Sequence, residues 1–239
     1  DCPYYEQRMF VGDSRIEALI TYTIQRDRRL PRRSIELFDF SRSANPAGLT
    51  TARYPCRRHT GISTFSMIWI WMIHDYHFWA DDPDFVRKSL TGMRAVLNAL
   101  TPFRDHDGLL ANLPGRNFMD ETFPSGDPLG AMTGVSTAVN LLYLNVLQRA
   151  AVIEGDLGNR HMAAFFEEQW GQTGGSVLEH FWDENRQCLA DDSDHVHFSE
   201  QTLALSLLTD FLSGARRRSS LGRLLSDTDL SRCGMYFRH

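Results

Sequence analysis

Apolar side chains recur every three or four positions along most of the chain, which is the spacing of one face of an α-helix. The clearest run predicts a long helix and consists of Val135, Ala138, Val139, Leu142, Val146, Ala150 and Ile153. Residues 64–80 (TFSMIWIWMIHDYHFWA) are apolar on more than one side, which indicates a helix packed on both sides. Asp82-Pro83 provides a cap and a first-turn proline for the next helix, which ends near Leu100 before Pro102. The same spacing predicts further helices at 12–25, 30–42, 159–180, 199–213 and 216–226.

In chain order the predicted helices form pairs. The turns within pairs are Asp27-Arg28-Arg29, Asp81-Asp82-Pro83, Gly155-Asp156-Leu157-Gly158 and Ser213-Gly214, and the long connections are 43–63, 103–130 and 181–198. Helical hairpins joined by long loops predict an all-α fold, a toroid or a solenoid. No repeat of fixed period is visible, which argues against TPR and HEAT arrays. Because four pairs are too few to close a toroid, we expect residues 1–239 to be one partial domain that lacks its C-terminal part.

Composition and charge narrow the class of protein. The chain is 42% apolar and 11% aromatic, so it can bury a substantial core and is not a disordered chain. A formal net charge of −5 makes nucleic acid a poor partner, and no apolar run reaches the about 18 residues of a membrane span. The cysteines are widely spaced and form no CxxC pair, so we interpret them as free thiols of a reducing compartment such as the cytoplasm. A soluble globular protein without membrane contact is predicted.

The opening segment, DCPYYEQRMFVGD, is the first candidate for chemistry. Carboxylates and rings alternate along it, at Asp1, Tyr4, Tyr5, Glu6, Phe10 and Asp13. Aromatic rings stack on the apolar face of a sugar, and an apolar wall raises the pKa of a carboxyl so that it can donate a proton. The segment therefore indicates sugar chemistry. The alternative is that Asp13 caps the next helix and that Glu6 is merely solvated, which is common near helix starts.

Two later loops are weaker candidates. Residues 107–120 (DGLLANLPGRNFMD) contain Asn117 and Asp120, which suit hydroxyl binding, but taken alone the segment is an ordinary inter-helix loop. The other loop offers possible metal ligands, although exposed turn residues are the better interpretation without a metal-site signature. Its candidates are Asp191, Asp192, Asp194, His195 and His197. No nucleotide, dinucleotide, serine-hydrolase or zincin motif is present, and we predict no metal or cofactor.

The opening segment resembles the catalytic-domain motif of the bacterial α-L-rhamnosidases, glycoside hydrolase family 78. That motif places an Asp five residues before a Glu and a second Asp seven residues after it, which are the positions of Asp1, Glu6 and Asp13. The resemblance continues in order through nearly the whole chain. Its later parts are TARYPCR (51–57), FSMIWIWMIHDYHFWADDPDFV (65–86), DGLLANLPGRNFMD (107–120), FWDENRQCLADD (181–192) and FSEQTLALSLL (198–208).

The resemblance implies an (α/α)6 toroid of the six-hairpin glycosidase type, with about four of the six hairpins present. It implies inverting hydrolysis of terminal, non-reducing α-L-rhamnose, with a carbohydrate as the partner and no cofactor. Glu6 would be the general acid, and Asp1 and Asp13 would hold rhamnose hydroxyls and help to tune that acid. In an inverting site the two catalytic carboxyls lie about 6.5–9.5 Å apart, which leaves room for the attacking water.

Several positions depart from the family pattern. Phe10 stands where family members often have Trp, although either ring can stack on a sugar. Asp120 is a further predicted sugar ligand, and Trp69 or Trp71 supplies the remaining aromatic wall unless both serve the core. The family's general base is a Glu beyond the last predicted helix, so we expect the base outside this chain and the chain alone to be inactive. Glu200 is a possible substitute, but a capping-type role at a helix start explains it more simply.

Two alternatives stay open. One is a related six-hairpin glycosidase that acts on a different sugar. The other is a helical carbohydrate-binding module without catalysis. The spacing of Asp1, Glu6 and Asp13 disfavours the second alternative, because a binding module has no need of a proton donor.

Overall fold

The computed structural model describes residues 2, 4–58, 60–121, 123 and 126–237. Asp1, a predicted sugar ligand, lies outside the described residues. Within them the chain forms eight α-helices, two short 3-10 helices and four two-residue strands. The helices are α1 (Val11–Ile24), α2 (Arg29–Ser41), α3 (Ser63–Trp79), α4 (Pro83–Leu100), α5 (Thr137–Asp156), α6 (Arg160–Phe181), α7 (Glu200–Leu208) and α8 (Gly214–Ser226). The strands are β1 (Met9–Phe10), β2 (Arg53–Tyr54), β3 (Trp182–Asp183) and β4 (Cys188–Leu189).

The helices follow the predicted pattern of four successive pairs, and local capping explains their ends. At the start of α4 the Asp82 side chain accepts a hydrogen bond from Phe85 N–H at 3.2 Å, as the Asp-Pro signature predicts. The predicted helix over 199–213 was too long, because α7 ends at Leu208 and Thr209 has extended backbone. Side chains satisfy the carbonyls of its last turn. Thr209 Oγ1 donates to Ser206 O at 3.2 Å, and Asn145 Nδ2 donates to Leu208 O at 3.2 Å.

The chain divides into two compact units. Unit 1 comprises the described residues of Asp1–Pro102, Pro114–Arg116 and Arg149–Ala164. Unit 2 comprises those of Phe103–Leu113, Asn117–Gln148 and Phe165–His239. The prediction that residues 1–239 form a single partial domain stays a prediction.

Helix α3 is the centre of unit 1 and contacts α1, α2 and α4. Most of its residues are buried, because apolar and aromatic side chains surround the helix instead of forming one stripe. Trp69, Ile70 and Met72 are at most 1% exposed. This burial confirms the prediction of a helix packed on both sides. The short pair β1–β2 is antiparallel and joins the entrance of α1 to the connection that precedes α3.

Unit 2 contains α7 and α8, which contact each other, and the antiparallel pair β3–β4. One of its apolar clusters lies beside α7. Its buried members are Cys188, Ala190, Phe198, Leu203 and Leu230, and Leu224 of α8 packs against them. The segment after α8 returns to the start of α7, where Glu200 N–H donates to Ser231 O at 2.9 Å. The start of α7 is thereby covered by chain that comes later in the sequence.

None of the helices in the described part of the chain has both the length and the apolar character to cross a membrane. All four cysteines lie among the described residues, and no disulfide joins them.

Candidate active site

The opening segment folds into a turn that ends at Glu6. Glu6 N–H and Gln7 N–H both donate to Cys2 O, at 3.2 and 3.0 Å. Gln7 then adopts a positive φ of 51°, and the chain continues into β1 and α1. Arg8 Nε donates to Glu6 O at 3.0 Å. Backbone and side-chain hydrogen bonds therefore hold Glu6 at the end of a defined turn.

The Glu6 carboxylate folds back over this turn. The side chain is half-buried, and Glu6 Oε2 accepts a hydrogen bond from Cys2 N–H at 2.9 Å. This backbone hydrogen bond is the main reason that the pKa of Glu6 lies below its ordinary value. Glu6 is thus not simply solvated, which was the alternative interpretation of the sequence. The surroundings of Glu6 therefore lower its pKa and do not raise it.

Among the described carboxyls of the opening segment, the one with a raised pKa is that of Asp13, in the first turn of α1. Burial of this half-buried side chain disfavours its charged form and raises the pKa. Asp13 is not the helix cap that the alternative interpretation made it. Phe10 occupies the cap position with extended backbone, and α1 starts at Val11. The Asp13 carboxyl therefore lies inside the first turn of α1, and a contact between Asp13 and a sugar stays a prediction.

Phe10 and Arg53 lie opposite each other across β1 and β2. The Arg53 guanidinium carbon lies 5.9 Å from the centroid of the Phe10 ring. Val11 N–H donates to Ala52 O at 3.1 Å and so continues the pairing into the first residue of α1. Sequence reasoning did not single out Arg53, although it lies within the TARYPCR segment. Its place beside Phe10 depends on strand register, which two-residue strands do not reveal in a sequence.

Tyr4 and Tyr5 present two exposed rings beside Glu6. Their side chains are 78% and 83% exposed. The ring centroids are 4.9 Å apart with an interplanar angle of 81°, an edge-to-face pair. The two rings directly precede Glu6 in sequence, and a contact between them and a sugar stays a prediction.

The two tryptophans proposed as an aromatic wall both lie in α3. Trp69 is fully buried, and its Nε1 donates to Ile35 O at 3.1 Å. This position fits the core role, and a contact between Trp69 and a sugar stays a prediction. The Trp71 ring is 8% exposed and has the guanidinium groups of Arg15 and Arg149 within 4.5 and 4.9 Å of its centroid. Two cations thus lie close to the ring that would otherwise be a candidate for stacking.

Asp120 belongs to unit 2 and is fully buried. Its Oδ2 accepts hydrogen bonds from Gln201 Nε2 at 2.7 Å and from Gly234 N–H at 2.6 Å. Asn117 is also fully buried and donates from Nδ2 to Ala131 O at 2.7 Å. These two polar groups of the 107–120 loop hold distant parts of unit 2 together. A contact between Asp120 and a sugar stays a prediction.

Glu200 is the first residue of α7 and is 7% exposed. Its Oε1 pairs with Arg232 Nη1 at 2.6 Å, and its Oε2 accepts a hydrogen bond from Cys233 N–H at 2.7 Å. The cap of α7 is Ser199, whose side chain accepts from Thr202 N–H at 3.2 Å. The Glu200 carboxylate therefore binds the segment after α8 instead of capping its own helix.

In the acidic loop that was considered as a metal site, Asp191 and Asp192 contact different side chains. Asp191 Oδ1 accepts from Ser199 Oγ at 2.7 Å, whereas Asp192 contacts His197. Another histidine–carboxylate group, Asp105–His106–Asp107, has ligand atoms within 4.8 Å of one another. Its members are exposed or half-buried neighbours in sequence, and such groups are common in loops that bind no ion.

Paired helices with an opening segment rich in carboxylates and aromatic rings are the features expected of an all-α glycosidase domain. More particularly, the chain belongs to the family of the bacterial α-L-rhamnosidase six-hairpin glycosidase domain, whose model matches residues 1–232. This membership confirms the resemblance found in the sequence and the all-α toroid-type fold that it implied. No match was found among curated proteins.

Solved structures are similar over nearly the whole chain. A GH78 family rhamnosidase of Bacillus sp. GL1 has a TM-score of 0.87 and 24% identity, over 98% of this chain and 24% of that chain. A rhamnosidase from Klebsiella oxytoca, solved with rhamnose bound, has a TM-score of 0.81 and 17% identity. The match covers 98% of this chain and 44% of that chain. An α-L-rhamnosidase from Dictyoglumus thermophilum has a TM-score of 0.70 and 15% identity. The match covers 95% of this chain and 25% of that chain. This chain thus spans less than half the length of each of these solved chains.

Proposed function

We propose that the full-length protein hydrolyses terminal, non-reducing α-L-rhamnosides with inversion at the anomeric carbon. The match of residues 1–232 to the rhamnosidase domain family carries this proposal. The bound rhamnose in the similar Klebsiella oxytoca enzyme supports rhamnose as the sugar.

Glu6 is the general acid in this proposal. As the bond between the anomeric carbon and the glycosidic oxygen breaks, Glu6 transfers its proton to that oxygen and the alcohol departs. The hydrogen bond from Cys2 N–H favours the ionised form of Glu6 in the free protein. A bound substrate replaces water around the carboxyl, which raises its pKa towards the range that a proton donor needs.

Asp1, Asp13 and Phe10 bind the rhamnose ring. A half-buried carboxyl such as Asp13 can accept a hydrogen bond from a sugar hydroxyl, and the Phe10 ring can pack on an apolar face of the sugar. The charges of Asp13 and Glu6 also act on each other. Glu6 is among the groups that raise the pKa of Asp13.

A carboxylate outside this chain is the general base. It removes a proton from water as that water attacks the anomeric carbon from the face opposite the leaving group. Glu200 is poorly suited to this task, because Arg232 and Cys233 N–H already engage its two oxygens. We therefore expect this chain alone to be inactive.

The test is the hydrolysis of p-nitrophenyl α-L-rhamnoside, measured for this chain and for the full-length protein. We expect p-nitrophenol only from the full-length protein, and proton NMR should show that the β-anomer of rhamnose forms first. Activity in both proteins would place the base within this chain, and α-rhamnose as the first product would contradict inversion.

A panel of other aryl glycosides tests the two alternatives. Faster hydrolysis of another sugar would make the protein a six-hairpin glycosidase of different specificity. Sugar binding in calorimetry without any product from the full-length protein would make it a binding module.

A further inference from the structure

Cys2 contacts the turn that carries Glu6 through three of its atoms. Its N–H donates to Glu6 Oε2 at 2.9 Å, and its carbonyl oxygen accepts from Glu6 N–H and Gln7 N–H at 3.2 and 3.0 Å. Its Sγ accepts a hydrogen bond from Tyr5 N–H at 3.4 Å. Cys2 is therefore bonded to three consecutive residues, and to both the backbone and the side chain of Glu6.

The bond at Oε2 distinguishes the two oxygens of the Glu6 carboxyl. A protonated carboxyl has one hydroxyl oxygen and one carbonyl oxygen, and an N–H donor favours the carbonyl oxygen as its acceptor. While Cys2 N–H donates to Oε2, a proton on the carboxyl consequently resides on Oε1. Oε1 is then the atom that donates to the leaving group, and the bond at Oε2 limits the directions in which it can point.

The same bond acts while the proton leaves. Transfer of the proton from Oε1 leaves a negative charge on the carboxylate, and a donor that is already in place at Oε2 stabilises that charge. The low pKa of Glu6 in the free protein has the same origin. A substrate whose leaving group needs much protonation should therefore benefit most from Cys2 N–H.

The thiol of Cys2 supports the residue that provides this donor. Its bond from Tyr5 N–H joins the side chain of Cys2 to the backbone one residue before Glu6. The amides of Tyr5 and Tyr4 also lower the pKa of the thiol, as expected for a sulfur that faces backbone N–H groups. Loss of the sulfur would leave the Tyr5 amide without this acceptor and would loosen the turn.

We propose that Cys2 is the positioning residue of the general acid: its N–H holds Oε2 so that Oε1 donates the proton, and its thiol holds that N–H in place. The inference rests on the proposed function, because it takes Glu6 as the acid. It goes further by naming the oxygen that donates and the residue that selects it.

Other charged groups also act on Glu6. After the bond from Cys2 N–H, the positive charge of Arg8 contributes to the low pKa of Glu6. Burial is the main cause that raises the pKa values of Asp13 and Glu17 on α1, and repulsion from Glu6 adds to it. Substitutions of Cys2 leave all these groups in the protein, so a change in pH dependence reports the contacts of Cys2.

The first test compares Cys2→Ala with the unchanged full-length protein on ethyl and p-nitrophenyl α-L-rhamnosides. Ethanol needs protonation to depart, whereas p-nitrophenolate departs with little help from an acid. We expect kcat for the ethyl substrate to fall about threefold, with the p-nitrophenyl substrate nearly unchanged, because one hydrogen bond of the turn is lost. The alkaline limb of kcat/KM for the ethyl substrate should move to higher pH, because the ionised form of Glu6 is less favoured.

A backbone substitution isolates the N–H. Incorporating lactic acid instead of alanine at the position of Cys2→Ala turns the amide into an ester and removes only the N–H. Hydrogen bonds to charged groups are the stronger ones, so we expect a further loss of about tenfold in kcat for the ethyl substrate. The alkaline limb should move upwards by about one pH unit.

Two control variants accompany this test. Cys2→Ser provides a hydroxyl that can accept from Tyr5 N–H, and it should restore most of the ethyl-to-p-nitrophenyl ratio. Cys56→Ala removes another half-buried thiol, which donates to Arg53 O at 3.2 Å, and it should leave the ratio and the pH profile unchanged. Melting temperatures show that each variant folds.

The outcomes separate this inference from the proposed function. An unchanged ratio in Cys2→Ala would overturn the role of the thiol, and an unchanged ratio in the ester would overturn the role of the N–H. Equal losses on both substrates would make Cys2 a merely structural residue and would overturn the inference as a whole. A full-length protein that hydrolyses no rhamnoside would overturn the proposed function, and the role of Cys2 with it.

Discussion

The turn that carries Glu6 and the start of α7 both present carboxylates. These carboxylates differ in burial and in how far along the chain their hydrogen-bond partners lie. Glu6 is half-buried and accepts its hydrogen bond from Cys2, four residues away on the same turn. Glu200 is 7% exposed, and its partners Arg232 and Cys233 are more than thirty residues away. Asp120 is fully buried and accepts a hydrogen bond from Gln201, 81 residues away.

This difference is the one expected if Glu6 reacts, as we propose, while Glu200 and Asp120 hold the fold. A carboxylate with both oxygens engaged by distant donors cross-links the chain, and a substrate would have to displace those donors. The hydrogen bond that Glu6 accepts from Cys2 N–H, by contrast, lies within one turn of the chain. We therefore expect substitutions in the two regions to affect different quantities, activity in one and stability in the other.

The largest expected effect is that of Glu6→Gln in the full-length protein. The amide oxygen still accepts the bond from Cys2 N–H, so the turn should be kept while the transferable proton is lost. We expect kcat/KM for ethyl α-L-rhamnoside to fall by about 10²–10⁴-fold, since the departing alcohol needs protonation. The melting temperature should change little.

Glu167→Gln on the exposed side of α6 is the matched control and should have no effect on either quantity. A Glu6→Gln variant that stays fully active would remove Glu6 from the mechanism. A variant that unfolds at a much lower temperature would show that the turn is structural, and the contrast with α7 would be lost.

The next effect is a loss of stability on changing Glu200 to Ala. This substitution leaves Cys233 N–H and Arg232 without their carboxylate. Because the Arg232 side chain is 54% exposed, water compensates it in part, and we expect the free energy of unfolding to fall by about 1–3 kcal/mol. Urea denaturation of this chain and of the variant measures this change in the free energy of unfolding.

Glu200→Gln keeps one acceptor oxygen and should cost less than Glu200→Ala. The same variant tests the role of Glu200 as a base in the full-length protein. A fall in kcat of a hundredfold or more with stability retained would make Glu200 catalytic and would contradict its assignment as a cross-link.

The smallest effect is the shift of the pKa values of Glu6 and Asp13 in opposite directions. The pKa of Glu6 is lowered by its hydrogen bond from Cys2, and the pKa of Asp13 is raised by burial. Carbon-13 NMR of the carboxyl groups should therefore show Glu6 titrating below the ordinary glutamate range and Asp13 above the ordinary aspartate range. The Asp13→Asn variant assigns the second signal.

The two carboxyls also affect stability in opposite directions between about pH 3 and 5, around their ordinary pKa values. Asp13, with its raised pKa, contributes stability at low pH that is lost as the pH rises through its folded-state pKa. Glu6, with its lowered pKa, contributes stability at higher pH that is lost as the pH falls through its folded-state pKa. A Glu6 signal that titrates above the ordinary range would contradict the turn described above.

The helices were predictable because their determinants are local. Apolar spacing and the Asp82-Pro83 cap predicted α3 and α4 almost to the residue. The extent of α7 was not predictable, because Asn145 satisfies the carbonyl of Leu208 from 63 residues away. The cap of α1 was not predictable either, since the sequence does not say that Phe10 takes the cap position and leaves Asp13 inside the first turn.

The sequence by itself determined the four helical pairs, the order of Glu6, Phe10 and Asp13 in the opening segment, and the resemblance to the rhamnosidases. Spacing, capping and turn residues act over a few positions, so they can be read along the chain. Only the tertiary structure decided that Trp69 is buried, that Arg53 faces Phe10, and that the Glu200 carboxylate is engaged. Burial and ion pairing depend on residues far apart in sequence, and the pKa of a carboxyl follows from the water and the donors that folding leaves around it.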